Sequence, residues 1–183
     1  AKDATIYTVT QGKRISVVEW FSQERVTQHR STTGIAIDID TGYDLSMKEQ
    51  VDRAWKAFVE EQPDVAICTP PCRMMSTAQN CNPNKSTPEW NVERAEAEAF
   101  IRLSLRVCQY QRARGRLFLM EHPMAAGTWW LEEMQEFIKL PDVAWTRMDQ
   151  CMIGLKDAAS GEAHMKPTRF LSNAPELLRE LTR

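Results

Sequence analysis

A cysteine that follows two prolines is the residue of this sequence best suited to nucleophilic chemistry. The segment 64–76 reads DVAICTPPCRMMS, so an apolar run ends at Pro70 and Pro71 and Cys72 comes next. Proline fixes the backbone φ angle and lacks an N–H donor, so a strand must end there and the thiol stands on a stiff segment. A nearby helix N-terminus or Arg73 would favour the thiolate. The alternative role for Cys72 is that of a small buried hydrophobic residue.

Carboxylates end three of the other apolar runs. Glu19 lies near the end of the first predicted strand, Asp38 and Asp40 end the second, and Glu121 and His122 end the fourth. In open α/β sheets, ligands bind beyond the carboxyl ends of the strands, so we expect these groups along one edge. Carboxylates there suit a nucleoside-like ligand, because each can accept two hydrogen bonds from a ribose diol. Strand-end capping and surface salt bridges are the alternative roles.

The cysteines and histidines are not spaced like a metal site. The sequence has five cysteines, and its soft candidate ligands are Cys68, Cys72, Cys81, Cys151 and His164. There is no C-x-x-C pair, and Cys68 falls inside a predicted strand, so no metal is expected. An odd number of cysteines in mostly apolar surroundings indicates reduced thiols and a reducing compartment.

The elements that must position these residues alternate between short β-branched runs and longer amphipathic segments. This alternation predicts an α/β fold with a doubly wound, mostly parallel sheet and a late β-hairpin. The segment between the first two strands, 23–32, is compatible with a crossover helix. Strands are predicted at 14–21, 34–40, 64–69, 116–123, 142–149 and 166–173, and helices at 46–62, 91–114, 128–140 and 174–183.

The composition is that of a globular protein with a single domain over 1–183. Hydrophobic residues make up 43% and charged residues 26% of the 183 positions, which is enough for one sizeable core. No apolar run approaches the roughly 20 residues of a membrane helix, and the predicted flexible N-terminal extension, 1–12, lacks the apolar core of a signal peptide. We therefore expect no membrane partner and an intracellular location, in the cytoplasm or nucleus of a host cell.

The formal net charge of -2 gives no global positive field that would attract nucleic acid. One segment, 106–116, nevertheless concentrates arginines in the sequence RVCQYQRARGR. A nucleic-acid partner is one interpretation of this cluster. The other is a solvated helix end, where cations interact favourably with the helix dipole.

Taken in order, these segments resemble the compact cytosine-5 DNA methyltransferases of phages and mobile elements. PDVAICTPPCRMMS resembles the family's strand and Pro-Cys loop, and RLFLMEHP resembles its strand ending in Glu-Asn-Val or Glu-Asn-Pro, with His122 in place of the asparagine. VVEWFSQE and GIAIDIDTGYDL resemble the two cofactor-binding strands. The segment 148–173 resembles the late strand pair with its Lys-Pro-Thr motif. The resemblance covers most of the chain.

The resemblance implies a sheet of the class I S-adenosylmethionine-dependent methyltransferase type and methyl transfer to C5 of cytosine in DNA. Cys72 would attack C6 of the base, and Glu121 would be the acid near N3. The base must leave its stack for this reaction, and the loop 73–90 would close over it. The implied cofactor-binding residues are Glu19, Phe21, Ser22, Asp38, Asp40, Asp44 and Pro70, and the implied substrate-binding residues are Arg73, Lys166 and Arg169.

The sequence departs from the family in the loop FSQERV, which has no glycine where a close backbone approach to the cofactor is expected. A large target-recognition domain is not expected either, so a protein partner or the loops 73–90 and 156–167 would supply target specificity. One alternative is a catalytically inactive module that binds nucleic acid or protein, with Arg112, Arg114 and Arg116 contributing. Another is an enzyme that uses Cys72 and Glu121 on a different small molecule or nucleotide.

Overall fold

Six strands form one mixed sheet in the computed structural model, which describes residues 14–163 and 165–182. The first four strands along the chain are mutually parallel, and the sixth lies antiparallel between the fourth and the fifth. The predictions of an α/β fold and of an antiparallel late strand pair are confirmed, and the sheet is mixed rather than parallel throughout. In the order β2-β1-β3-β4-β6-β5, the strands are β1 (Ile15–Trp20), β2 (Thr32–Ile37), β3 (Val65–Cys68), β4 (Leu117–Pro123), β5 (Ala144–Asp149) and β6 (Pro167–Ser172).

Four helices accompany the sheet: α1 (Lys48–Glu61), α2 (Pro88–Ala113), α3 (Glu132–Ile138) and α4 (Pro175–Glu180). The long helix α2 begins where the Thr87 hydroxyl accepts a hydrogen bond from the backbone N–H of Trp90 and Pro88 occupies the first turn. It ends just before Gly115, whose φ of +65° is the left-handed conformation common after helix ends. The sequence rules for helix ends therefore located both ends of α2 to within a few residues.

One face of the sheet carries three of these helices. Strand residues alternate between the two faces, and the register places Trp20, Cys68 and Phe118 on the same face. The Trp20 ring packs 5.5 Å from that of Phe58 in α1, and the Phe118 ring packs 5.5 Å from that of Phe137 in α3. Between them, α2 contacts β3 and β4. The main hydrophobic core lies between these helices and the sheet.

The opposite face carries only α4 among the helices of the described residues. Leu178 of α4 forms a small buried cluster with Met148 of β5 and Phe170 of β6. The predicted crossover helix in 23–32 is absent, and this prediction was wrong. The reason is Glu19, which is buried and accepts hydrogen bonds from the backbone N–H of Arg25 (3.0 Å) and of Thr27 (2.8 Å). These contacts hold the connection against the end of β1 in an irregular conformation.

Three other strand or helix boundaries also differ from their predicted positions. The second strand ends at Ile37 rather than at 40, because Asp38 caps a short 3-10 turn, Ile39–Thr41. The helix predicted at 128–140 begins only at Glu132, after a separate turn over Gly127–Trp130. The last helix is shorter than predicted, and the predicted extension 1–12 lies outside the described residues. No helix in the described ranges is both long enough and apolar enough to cross a membrane.

We expect Gly34→Ala to unfold the β1–β2 pairing. Gly34 has a φ of +125°, and a Cβ atom there would lie 1.8 Å from the carbonyl oxygen of Val17 on β1. Strain and steric overlap together should lower the free energy of unfolding by at least about 3 kcal/mol, measured by urea denaturation. Gly115→Ala is the control, because its φ of +65° is also positive but lies in the left-handed region that alanine can adopt, and the new methyl group would have open space around it. Equal losses in the two variants would contradict the steric explanation.

Candidate active site

Two adjoining cavities lie at the carboxyl ends of β1 to β4. Strand β2 lies on one side of β1 and β3 on the other, so the chain reverses its direction of winding beside β1, which is where open α/β sheets bind ligands. The apolar cavity has a volume of about 360 Å³ and the polar cavity about 470 Å³, and Phe21 and Asp38 line both. The apolar cavity also includes Ile39, Tyr43, Asp44, Leu45, Pro71, Glu96 and Phe100; the polar cavity also includes Ser22, Gln23, Asp40, Thr69, Glu121, Gln150 and Lys166.

The apolar cavity is a slot between flat side chains with acids at its rim. Phe21 packs against Phe100 of α2 with ring centroids 5.4 Å apart, and Ile39 is 68% exposed. Asp44 accepts hydrogen bonds from the backbone N–H (3.0 Å) and hydroxyl (2.6 Å) of Ser46, which lower the pKa of its carboxyl. A planar, weakly polar ring with donor groups at its edge matches this slot.

Asp38 stands on the boundary between the two cavities. Its Oδ1 accepts a hydrogen bond from the backbone N–H of Asp40 at 3.0 Å, as the cap of the turn that follows β2. Asp40 in turn accepts a hydrogen bond from the side-chain amide of Gln23. Thr69 ties the loop after β1 to the loop after β3, because its hydroxyl donates to the carbonyl of Phe21 at 3.2 Å.

Glu121 is the acid that β4 contributes to the polar cavity. The Gln150 side-chain amide donates a hydrogen bond to its Oε1 at 3.3 Å. Burial raises the pKa of the Glu121 carboxyl, and the charge of the nearby Lys166 acts in the opposite direction. A carboxyl with a raised pKa keeps its proton to higher pH, as a general acid requires.

Cys72 lines neither cavity, although it follows a residue of the apolar one. Its neighbour Pro71 lines that cavity, Pro70 is buried, and Cys72 itself is half-buried four residues after the end of β3. The Cys72 carbonyl accepts a hydrogen bond from the Met75 N–H at 3.1 Å at the start of a short 3-10 turn. Arg73, a proposed substrate contact, forms a surface ion pair with Glu93 at 2.5 Å.

His122 follows Glu121 on β4 and is fully buried. Its Nδ1 lies 3.0 Å from the Thr128 hydroxyl, while its Nε2 has no hydrogen-bond partner among the described residues. Burial lowers the pKa of His122 to about 4, although the carbonyls of Pro71 and Pro70 act in the opposite direction. The ring is therefore neutral at pH 7 and packs beside the segment that carries Cys72.

The structure brings together most, but not all, of the residues singled out in the sequence. Phe21, Ser22, Asp38, Asp40, Glu121 and Lys166 line the polar cavity, and Asp44 lines the apolar one. Glu19 instead holds the β1–β2 connection, with its Oε1 also 2.9 Å from the Thr27 hydroxyl. Arg169 is in register with His122 and lies between the rings of Trp129 and Trp145, on the other face of the sheet from Glu121.

Several lining residues were not identified from the sequence. Thr69 and Gln150 directly follow strands, so the strand-end rule used for Asp38 and Glu121 would have found them. Phe100 and Glu96 lie in the middle of α2, and no local pattern marks them, because their position depends on how α2 docks against the sheet. Pro71 and Tyr43 lie in loops and likewise carry no sequence pattern that indicates a cavity.

The arginine cluster lies at the opposite edge of the sheet, where α2 ends and β4 begins. Arg112 forms an ion pair with Asp142 at 2.7 Å, Arg114 lies over the Tyr110 ring at 3.6 Å, and Arg116 donates to the side chain of Gln62 at 2.8 Å. These contacts favour the interpretation of the cluster as a helix end. Within 14–163 and 165–182 no group of three or more His, Cys, Asp and Glu is placed to hold a metal ion, and His164 lies outside these ranges.

The sequence was also compared with models of known protein families and with curated protein sequences, and neither comparison gave a match. The functional assignment therefore depends on the two cavities and on the residues between them.

Proposed function

We propose that this protein transfers a methyl group from S-adenosylmethionine to C5 of a cytosine in DNA, through a covalent adduct with Cys72. The observation that carries the proposal is the arrangement at one sheet edge of an apolar slot, a carboxyl with a raised pKa and a cysteine on a proline-stiffened loop. A class I methyltransferase type of sheet, an intracellular location and a DNA partner are parts of the same proposal.

The residues of the apolar cavity fit the adenosine part of the cofactor. Ile39, Pro71 and Phe100 offer apolar surfaces for a flat base. Only one oxygen of Asp38 is engaged by the Asp40 N–H, so the carboxylate can accept hydrogen bonds from ribose hydroxyls. The polar cavity next to it would take the charged amino-acid part. When bound, the cofactor supplies an electrophilic methyl group.

The chain's own residues would then activate the cytosine. The Cys72 thiolate forms a bond to C6 while Glu121 donates a proton at N3, and C5 becomes nucleophilic as the ring loses its aromaticity. After C5 has taken the methyl group, a water molecule accepts the C5 proton, the 5,6 double bond re-forms as the C6–S bond breaks and releases the Cys72 thiolate, and the N3 proton returns to Glu121. Gln150 fixes the Glu121 carboxyl, and Lys166 contributes positive charge beside it.

The second candidate function is a nucleic-acid or protein-binding module without catalysis, and one observation favours it. Phe21 adopts a φ of 62° where glycine would be unstrained, and the Gln23 side chain reaches into the polar cavity to bond Asp40. A bound cofactor would have to displace the bond between Gln23 and Asp40. Cofactor binding by the purified protein therefore separates the two candidates.

We expect calorimetric titration to show that the unaltered protein binds S-adenosylhomocysteine with micromolar affinity. Asp38→Asn should lower this affinity by roughly 10- to 100-fold. The substitution keeps the capping oxygen but removes the charge that strengthens hydrogen bonds to ribose hydroxyls, a difference of about 1.5 to 3 kcal/mol. Asp142→Asn, at the opposite sheet edge, is the matched control and should bind as the unaltered protein does. Absence of binding at millimolar ligand in a folded sample would reject the enzyme and favour the binding module.

A further inference from the structure

Arg169 is a partly buried cation without an acidic partner among the described residues. Its guanidinium carbon lies 4.7 Å from the centre of the Trp129 ring and 4.3 Å from that of Trp145. It has no ion pair among the described residues, and its Nε is buried without a hydrogen-bond partner. Burial also lowers the pKa of this group. Contact with two indole rings restricts the guanidinium, so its terminal N–H groups are pre-organised for an oxyanion.

A second arginine stands directly beside it. Arg147 on β5 is the register partner of Arg169 on β6, so both side chains project from the same face of the sheet. Like charges in directly opposed positions destabilise a strand pair. Arg147 is 52% exposed and uses one of its nitrogens for Asp149 at 3.2 Å, which leaves its other donors available. Among the described residues Arg147 has one carboxylate partner, Asp149, and Arg169 has none, so one positive charge of the pair is uncompensated.

We propose that Arg147 and Arg169, backed by Trp129 and Trp145, bind a backbone phosphate of the DNA whose cytosine is modified at the polar cavity. Arginine forks match phosphate oxygens bidentately, and phosphate contacts position a protein on DNA without reading sequence. This inference rests on the proposed function, which supplies the DNA, and it assigns Arg169 to anchoring rather than to contact with the reacting base.

Arg169 and the Glu121 carboxyl lie near the same end of β4 but on opposite faces of the sheet, because Arg169 pairs with His122 and Glu121 precedes it. A phosphate held at Arg169 would therefore belong to DNA that passes over this end of the sheet, apart from the base that reacts.

The test is fluorescence anisotropy of a labelled cytosine-containing DNA duplex with the full chain and with Arg147→Gln, Arg169→Gln and Arg169→Lys. We expect the two glutamine variants to bind about 5- to 10-fold more weakly near 100 mM salt, and the slope of log K against log salt to fall by about 1 for each phosphate interaction that a substitution removes. Arg169→Lys should also bind more weakly, because it keeps the charge but lacks the fork. Arg179→Gln is the control, because Arg179 is an exposed arginine of α4 that pairs with Glu176, and it should leave affinity unchanged.

Equal losses in the control and in the two glutamine variants would show a general charge effect and overturn the site, as would unchanged affinity in Arg147→Gln and Arg169→Gln. If Arg147→Gln and Arg169→Gln bind inorganic phosphate more weakly than the unaltered protein but bind DNA equally well, the two arginines form a site for a free anion instead. A preference for an RNA of the same sequence that disappears in the variants would reject DNA as the ligand. S-adenosylhomocysteine titrations of the same samples report on the proposed function separately, since DNA anchoring does not require cofactor binding.

Discussion

Replacement of Cys72 by serine should abolish methyl transfer to DNA while leaving S-adenosylhomocysteine binding intact. A hydroxyl at this position is far less nucleophilic than a thiolate, so the covalent route is closed and the rate falls by roughly 10³-fold or more. Transfer of a labelled methyl group to a cytosine-containing duplex measures the loss. Cys81→Ser is the matched control, because Cys81 is an exposed cysteine of the same loop region and should retain full activity.

The covalent step can be tested independently of turnover. A duplex carrying 5-fluorocytosine has no proton to lose from C5 after methylation, so the unaltered protein should remain attached to it under denaturing conditions. Cys72→Ser should form no such complex. A denaturation-resistant complex in Cys72→Ser, or full activity of that variant, would show that another residue is the nucleophile and would overturn the mechanism.

Glu121→Gln should lower the rate of transfer by roughly 10²- to 10⁴-fold, which is the usual contribution of a general acid. Glutamine retains the shape of the side chain and its contact with Gln150 but cannot deliver a proton to N3. Cofactor affinity should not change, and the Cys72 adduct should form more slowly. If Glu121→Gln transferred the methyl group as fast as the unaltered protein, Glu121 would not be the general acid.

The same variant should change how stability depends on pH. Because burial raises the pKa of Glu121 in the folded state, its protonated form is favoured by folding below the unfolded pKa, and that stability disappears as pH rises through the folded pKa. Glu121→Gln should therefore melt at a higher temperature than the unaltered protein at pH 7 and at a similar temperature near pH 4. A lower melting temperature at pH 7 would contradict burial as the main cause of the shift.

The sequence alone predicted that several carboxylates meet at the carboxyl ends of the parallel strands, for a general physical reason. Asp38 and Asp40 follow β2 and Glu121 lies near the end of β4, two strands that run in the same direction, and the carboxyl ends of parallel strands meet. Strand identity and direction were enough to predict that these carboxylates lie together, and they line one cavity. Lys166, which only the family resemblance indicated, lines the same cavity. Their exact partners, such as Gln150 for Glu121, depend on how the last two strands pair.

Other features depend on packing between distant segments, and the sequence rules did not predict them. Residues 23–32 are compatible with a helix in sequence, but the buried carboxylate of Glu19 holds their backbone N–H groups in another conformation. Arg169 and Lys166 belong to one motif in the sequence, although Arg169 is paired with His122 and faces away from Glu121. The alternation of side chains along a strand would have separated them, once the strand and its register were known.

The position of β6 also governs how the chain can acquire its structure during synthesis. Strand β5 emerges from the ribosome before β6, yet β6 is its partner among the described strands and also covers the edge of β4. Until residues 167–172 have been made, β4 is an open sheet edge and β5 has no described strand to pair with, a situation that favours association between nascent chains. Completion of the sheet is therefore a late event, and chaperones that cover the β4 edge should increase the yield of folded protein.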